Sequence, residues 1–556
     1  MSKTVPSNYE FNTTNLWWQT GVIYQIYPRS FKDTTGNGIG DLRGIIEKMD
    51  YLSDVLAVDA IWLSPFYPSP MADFGYDVSD YCNVDPMFGT LDDFAELASQ
   101  AHARNIQVII DWVPNHTSGQ HPWFKESRSS RNNLKRDWYI WKDPKMSDGT
   151  KEPPNNWLAV FGGLAWEWDE GTGQYYMHSF LKEQPDLNWR NAELKQAMFD
   201  TIRFWLDKGV DGFRVDVAHY IMKDAAFKDN PPAAPGEITF HRPHGKYDTL
   251  LHLYDKGDPD VHKVYREFRT ILDEYSVQKP RMAVGEIHIY DFEKLASYYG
   301  TPDKGFEFHM PFNFSLLNAK WNAQEFRKYI DNYEAALPSW AWPNYVLGNH
   351  DEGRIATRYG QEQARVAAML LLTLRGTPTI YYGEELGMTD VEIPPEKQLD
   401  PFGFRVPGWG RDRCRTPIQL DASTHAGFSA SDTKKLWLPL SDEYQTYNVK
   451  DELEDPHSYL NLYRQLLGFR KKSQALTVGK YAPVDNVPLN CYVYLREGQG
   501  ERVLVALNFS DEPQTISLSE YPTASIILST FLDRNGIFDL DALELRGNEG
   551  VIVKID

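Results

Sequence analysis

A chain of 556 residues is too long for one simple core, so two or three domains are expected. Its 57 Lys and Arg against 78 Asp and Glu leave a net charge of −21. That balance argues against nucleic acid or an anionic membrane as partner, since both reward clustered cations.

Strand-like and helix-like segments alternate along most of the sequence. Residues 21–28 and 60–65 read as buried strands. Thr90 opens a helix with Asp93 as its capping-box partner, and Phe94, Leu97, Ala98 and Ala101 form its apolar stripe. A strand over 106–113 follows, then a helix marked by Leu194, Met198, Ile202 and Trp205 that stops near Gly209. The series continues with strand 212–216, helix Val261–Tyr275, strand 282–287, helix 291–299, strand 306–312 and helix Ala323–Ala336. It closes with strand 345–349, helix 364–374, strand 377–382 and helix 459–471. Eight β-then-α units predict an α/β fold, a parallel sheet closed into a (β/α)₈ TIM barrel.

Two stretches interrupt the alternation. Residues 116–184, rich in Trp, Pro, Asn and Gly, predict an inserted subdomain after the third strand, and about 385–455 predict a second insertion. The barrel is therefore expected from 1–115 and 185–473. From 474 to 556 short alternating runs without helical stripes predict a C-terminal antiparallel β-sandwich. Cys82, Cys414 and Cys491 are too few and too scattered for a disulfide framework or zinc site. They read as reduced thiols of a cytoplasmic protein. No apolar segment near the N-terminus resembles a signal peptide, and no run of about 18 apolar residues predicts a membrane span. The 17 Trp and 32 Tyr suit a sugar binder, because rings stack on apolar sugar faces, but a large α/β core uses them equally well.

Three of the strands end on an acid: GFRVD at Asp216, MAVGE at Glu286 and VLGNHD at Asp351. A fourth, VIIDWVPNH, ends on Asn115 and His116. Ionisable groups at the mouths of apolar strands are costly unless used. Arg214 shares a strand face with Asp216, which predicts a charged carboxylate there. Glu286 follows Met-Ala-Val-Gly, and apolar surroundings predict a protonated acid. One charged and one protonated carboxyl are what retaining glycoside hydrolysis needs.

The motifs DWVPNH, QPDLNW, GFRVD, GEI and GNHD occur in this order and span nearly the whole chain. Together they resemble the α-amylase superfamily of glycoside hydrolases (family 13), in its exo-acting α-glucosidase and oligo-1,6-glucosidase branch. The resemblance implies Asp216 as nucleophile, Glu286 as acid/base and Asp351 as transition-state stabiliser. His116, Arg214 and His350 match residues that hold the reacting glucose. Asp73 and Tyr76 in DFGYD, with Arg415 in CRTP, match the group that closes the pocket behind a terminal glucose, and the resemblance implies that Asp73 and Arg415 pair there; Phe161 and Phe180 match its flanking aromatics. The implied substrates are short α-glucosides, and the chain would act as a monomer or homodimer.

Asp33, Thr35, Asn37, Ile39 and Asp41 in DTTGNGIGD have the alternate-oxygen spacing of a looped divalent-ion site. The resemblance implies a structural Ca²⁺ or Mg²⁺ there, although Thr35 and Asn37 lower the ligand charge. A metal-free Asx-rich turn is the alternative. His219 stands where the family often has Asn, so linkage preference stays open, and Glu352 faces either the leaving-group side or solvent. Two further functions compete with hydrolysis. A glucosyl-transferring isomerase of sucrose isomerase or trehalose synthase type would use the same chemistry. A non-catalytic transporter heavy chain would share the barrel but lack the acids.

Overall fold

The computed structural model describes residues 16–430, 432–518, 524–538 and 542–555. The opening segment read above for a signal peptide lies outside them. Eight parallel strands form one sheet: β1 (Ile23–Ile26), β2 (Ala60–Leu63), β3 (Gln107–Trp112), β4 (Gly212–Val215), β5 (Met282–Gly285), β6 (Met310–Pro311), β7 (Asn344–Val346) and β8 (Thr377–Tyr381). Their order is β6-β5-β4-β3-β2-β1-β8-β7, and a parallel bridge between Asn313 and Tyr345 joins the two ends into a ring. Every strand residue except Gln107 is buried, which is why the strands carry no polar alternation.

The eight outer helices are α1 (Leu42–Glu47), α2 (Leu91–Ala103), α3 (Ala192–Asp207), α4 (Val261–Tyr275), α5 (Phe292–Ser297), α6 (Ala323–Ala336), α7 (Gln361–Thr373) and α8 (Tyr459–Lys472). The expected capping box starts α2: the Asp93 N–H donates to Thr90, and the Asp93 carboxylate accepts from the Thr90 N–H at 2.8 Å. Side chains alternate along each strand. Ile61, Leu63, Val108, Ile110, Phe213 and Val215 join the outer core with the helices, whereas Ala60, Trp62, Ile109, Met282 and Val284 pack inside the ring. The inward series becomes polar only at the C-terminal strand ends. Asp111 follows Ile109 by two residues, Arg214 follows Gly212, and Glu286 follows Val284.

Several elements differ from expectation. The sixth strand is two residues long, because positive φ at Gly300 (73°) and Gly305 (107°) folds Gly300–Thr301 against Gly305–Phe306 as a separate hairpin. The seventh is Asn344–Val346, and the chain leaves it before Asp351. Residues 216–260 were not expected as an excursion. They hold only short 3₁₀ turns at Ala218–Tyr220 and Gly245–Thr249. The segment after β3 carries a three-stranded antiparallel sheet, ordered Trp141–Lys142, Gln174–Met177, Trp166–Asp169.

Beyond α8 a short helix, Gln474–Val478, precedes the antiparallel region. There a six-stranded sheet and the paired strands Gln514–Ile516 and Leu543–Leu545 form two layers. Their shared core includes Val493, Leu504, Ile526, Val551, Ile516 and Leu545. No described helix is long and apolar enough to cross a membrane.

Candidate active site

Arg214 is the hub of the C-terminal barrel face. Its Nη1 lies 2.8 Å from Asp216 Oδ1 and also donates to Asp111 Oδ1; its Nη2 lies 2.6 Å from Glu286 Oε2. Asp111 in turn accepts from Trp62 Nε1 at 2.9 Å. Asp111 was not singled out from the sequence, although strand alternation from Ile109 marks it as inward-facing. Glu286 Oε2 also accepts the Val217 N–H at 2.9 Å, and its Oε1 lies 2.9 Å from His288 Nε2.

The electrostatics of this pair reverse the expectation. Burial, with the neighbouring charges of Glu286 and Asp111, pushes Asp216 well above the usual carboxylate range against the pull of Arg214. Burial also opposes a charge on Glu286, but Arg214 and the His288 hydrogen bond outweigh it and hold the group below that range. Apolar residues precede Glu286 along β5, yet its carboxyl group leaves the apolar layer and meets a guanidinium, an imidazole and a backbone N–H. Two acids in contact cannot both ionise, so the pair retains one proton. With donors from Arg214, Val217 and His288 on its oxygens, Glu286 is the charged member.

The third acid, Asp351, is held by two arginines and a histidine. Its Oδ1 lies 3.1 Å from Arg411 Nη1 and 2.9 Å from Arg415 Nη2; its Oδ2 lies 3.3 Å from His350 Nε2. Burial disfavours its charge, but His350, Arg411, Arg415 and Arg214 together keep it ionised far below the usual range. His350 itself is lowered to about 3, mainly by burial.

Arg415 requires a correction. It was expected to pair with Asp73, but the partner of Asp73 is Arg411, whose Nη2 lies 2.7 Å from Asp73 Oδ1. Arg415 is fully buried, does not line the pocket, and instead holds the His350 carbonyl at 2.7 Å and Asp351. The two arginines flank one 3₁₀ turn, Asp412–Cys414, so both point toward the barrel mouth and only the first reaches Asp73. Asp73 is raised to about 6, chiefly by burial. Arg411 is also gripped by Asp400 at 2.7 Å, a residue that sequence reasoning missed.

Beside these groups lies one cavity of about 840 Å³, part of it open to solvent. Asp73, Tyr76, His116, Phe161, Phe180, Asp216, Glu286, His350 and Asp351 all face it. Arg214 lies beneath it. The Tyr76 ring lies parallel to His350 at 6°, and its hydroxyl meets His350 Nε2 at 2.8 Å. His116, lowered to about 4 by burial, lies 5.3 Å from Phe180, and Phe161 stacks on Phe402 at 4.3 Å.

The mouth is built by residues without a sequence signal. Phe240 and His241 come from the 216–260 excursion, and Phe402 and Trp409 from the insertion after β8. Glu352 faces this mouth and lies 2.9 Å from His241 Nε2, not in open solvent. His219 is buried, 4.6 Å from the Tyr220 ring, and is not among the lining residues.

The loop of Asp33, Thr35, Asn37, Ile39 and Asp41 lies away from this cavity. The Asp33 carboxylate accepts from the N–H groups of Thr35 (2.9 Å), Gly36 (2.8 Å) and Gly38 (2.7 Å) and from the Ser429 hydroxyl (2.6 Å). Burial opposes its charge, but these donors together hold it below the usual range. Asp41 caps α1 through the Gly44 N–H and binds Thr34, while Asn37 Oδ1 accepts from the Ile39 N–H. No group of three or more His, Cys, Asp or Glu side chains placed to hold a metal ion occurs among the described residues. Here the Asp33 and Asp41 oxygens accept from loop N–H groups, from the Thr34 hydroxyl and from Ser429.

Comparison with known proteins agrees with this architecture. Residues 25–479 match the α-amylase catalytic domain, and residues 479–530 match the cyclo-malto-dextrinase C-terminal domain. A probable α-glucosidase of Rhizobium meliloti (strain 1021) is 41% identical over 517 residues, covering 90% of this chain and 91% of its own. An oligo-1,6-glucosidase of Heyndrickxia coagulans is 40% identical over 546 residues, covering 91% and 94%. Among solved structures, the α-glucosyl transfer enzyme XgtA aligns with a TM-score of 0.90 and 40% identity, over 98% of this chain and 100% of that one. Trehalulose synthase MutB of Pseudomonas mesoacidophila MX-45 aligns at 0.85 and 34% identity, over 98% and 100%. An eight-stranded ring with three acids and Arg214 at its mouth, matched over most of its length, belongs to the α-amylase family of glycoside hydrolases.

Proposed function

We propose that this protein is a retaining exo-α-glucosidase that releases glucose from the non-reducing ends of short α-glucosides. The observation that carries the reading is the Asp73–Arg411–Asp351 chain of ion pairs, which puts a charged wall across the cavity beside the Asp216–Glu286 pair. A cavity walled at one end admits a terminal sugar and stops a continuing chain. Its fixed charges suit sugar hydroxyls, which accept from guanidinium and donate to carboxylate.

Asp216 and Glu286 share one guanidinium and interact directly, a separation that leaves no room for the water an inverting enzyme needs between its acids. The chemistry then follows a double displacement. The single proton of the pair passes to Glu286 as the sugar enters. Asp216 attacks the anomeric carbon, the glycosidic C–O bond breaks, and Glu286 protonates the departing oxygen. Glu286 next takes a proton from water, whose oxygen bonds the anomeric carbon as the Asp216 ester bond breaks. Asp351, held charged by Arg411, Arg415 and His350, faces the developing positive charge.

A second reading is favoured by the likeness to a glucosyl transfer enzyme and a trehalulose synthase. A sugar in place of water at the second step gives transglucosylation or isomerisation by the same residues. Every group required lies on one chain, so a monomer or a homodimer suffices, and the three free cysteines fit a cytoplasmic setting. Incubation with maltose, isomaltose, sucrose and trehalose, with product analysis at low and high substrate, tests both readings. Free glucose from none of them would refute the hydrolase.

A further inference from the structure

His288 lies in the cavity wall but belongs to none of the motifs. It follows Glu286 by two residues at the exit of β5, and its ring stacks on Phe314 with centroids 4.8 Å apart. Nε2 lies 2.9 Å from Glu286 Oε1, while Nδ1 is buried without a partner. The other Glu286 oxygen is already filled, since Oε2 accepts from Arg214 and from the Val217 N–H. Val217 sits at φ 33°, a region unfavourable for a β-branched residue, so its N–H is held in place by strained backbone. A carboxyl group with two donors on one oxygen carries its proton on the other. Oε1 is therefore the oxygen that protonates a leaving group, and His288 is the side chain that touches it.

We propose that His288 is a positioning residue for the acid/base, holding Oε1 in place and setting the pH at which Glu286 loses its proton. The proposal rests on the reading of Glu286 as acid/base. Other charged groups also act on Glu286. Arg214 favours its charge; Asp216 from β4 and Asp351 beyond β7 oppose it. The histidines nearest His288 are His241 at 5.9 Å and His219 at 6.2 Å. Only His288 donates to Oε1 among the described residues. An N–H bond to the charged form lowers the pKa, so removing it should delay deprotonation to higher pH.

The test is the pH profile of kcat/KM for maltose in the wild type, H288F and H288Q, with melting curves to establish folding. In H288F the basic limb should move up by roughly one pH unit. H288Q, which offers an amide N–H near the same place, should bring most of it back. The rate loss of H288F should also be about tenfold smaller on α-glucosyl fluoride, whose leaving group needs no proton. An unmoved limb in H288F, or an equal shift in both variants, overturns the proposal; H288L replaces H288F if the latter does not fold. The wild type reports separately on the parent reading. Should it release no glucose, NMR titration of the Glu286 carboxyl decides the matter without turnover. A Glu286 pKa raised in H288F supports the proposal, and an unchanged one refutes it.

Discussion

Arg411 Nη2 lies 2.7 Å from Asp73 Oδ1, while its Nη1 lies 3.1 Å from Asp351 Oδ1. One planar cation thus ties the end wall of the cavity to the acid that follows β7. A lysine cannot reproduce this fork. R411K should raise KM for maltose and lower kcat/KM by about 100-fold, as expected for two lost charge-assisted bonds. A double-mutant cycle on kcat/KM separates the two arginines. R411K with D73N should show a coupling of more than about 1 kcal/mol, and R415K with D73N less than about 0.5 kcal/mol. Stronger coupling through Arg415 would reinstate the partner expected from sequence.

The division of labour between the two central acids can be read from leaving groups. D216N should lower kcat by about 10³-fold or more on every substrate. E286A should be slow on maltose, yet azide should restore its turnover of activated glucosides and give an α-configured glucosyl azide. NMR of the product checks this. A β-configured azide would exclude a glucosyl ester on Asp216.

Asp73 predicts a definite sign for stability against pH. Its folded value, raised to about 6, stands above the ordinary carboxylate value of 3.8. Between those limits the folded protein binds a proton that the unfolded chain does not. Stability from this group is therefore fully present below the lower value and is lost as pH rises through the upper one. Relative to D73N, whose amide cannot ionise, the wild type should lose roughly 2 kcal/mol between pH 4 and pH 7. Urea unfolding of both proteins at the two pH values measures it; a wild type that gains relative to D73N over that range contradicts the assignment.

The hydrogen-bonded Asp33 loop predicts indifference to divalent cations. Occupancy at about 100 times the dissociation constant would add about 2.7 kcal/mol to the folded state. We expect no such gain: the melting temperature should agree within about 1 °C in EDTA and in millimolar Ca²⁺ or Mg²⁺. A rise of several degrees on adding either ion would show that the Asp33 and Asp41 oxygens exchange their N–H partners for metal.

The barrel was legible because buried parallel strands read as apolar runs and the helices carried clear stripes, as in α2 and α3. The central acids were legible because alternation fixes which strand residues point inward, and the same rule would have found Asp111. Arg411 was not, since two arginines four residues apart on an irregular turn cannot be told apart without the tertiary position of Asp73. The protonation order of Asp216 and Glu286 failed for a related reason. Neighbours in sequence are apolar at Glu286, but the donors on its oxygens, Arg214, Val217 and His288, reach it in space. Phe240, His241 and Trp409 arrive from segments with no periodicity to read.

Arg214 answers to three carboxyl groups at once, those of Asp111, Asp216 and Glu286. One positive unit against that many acids leaves a surplus of negative potential where a cleaving glycosidic bond becomes cationic. The protein thus already holds the counter-charge that a cationic transition state calls for. Protonated nitrogen analogues of glucose should exploit the same surplus and outbind their uncharged counterparts.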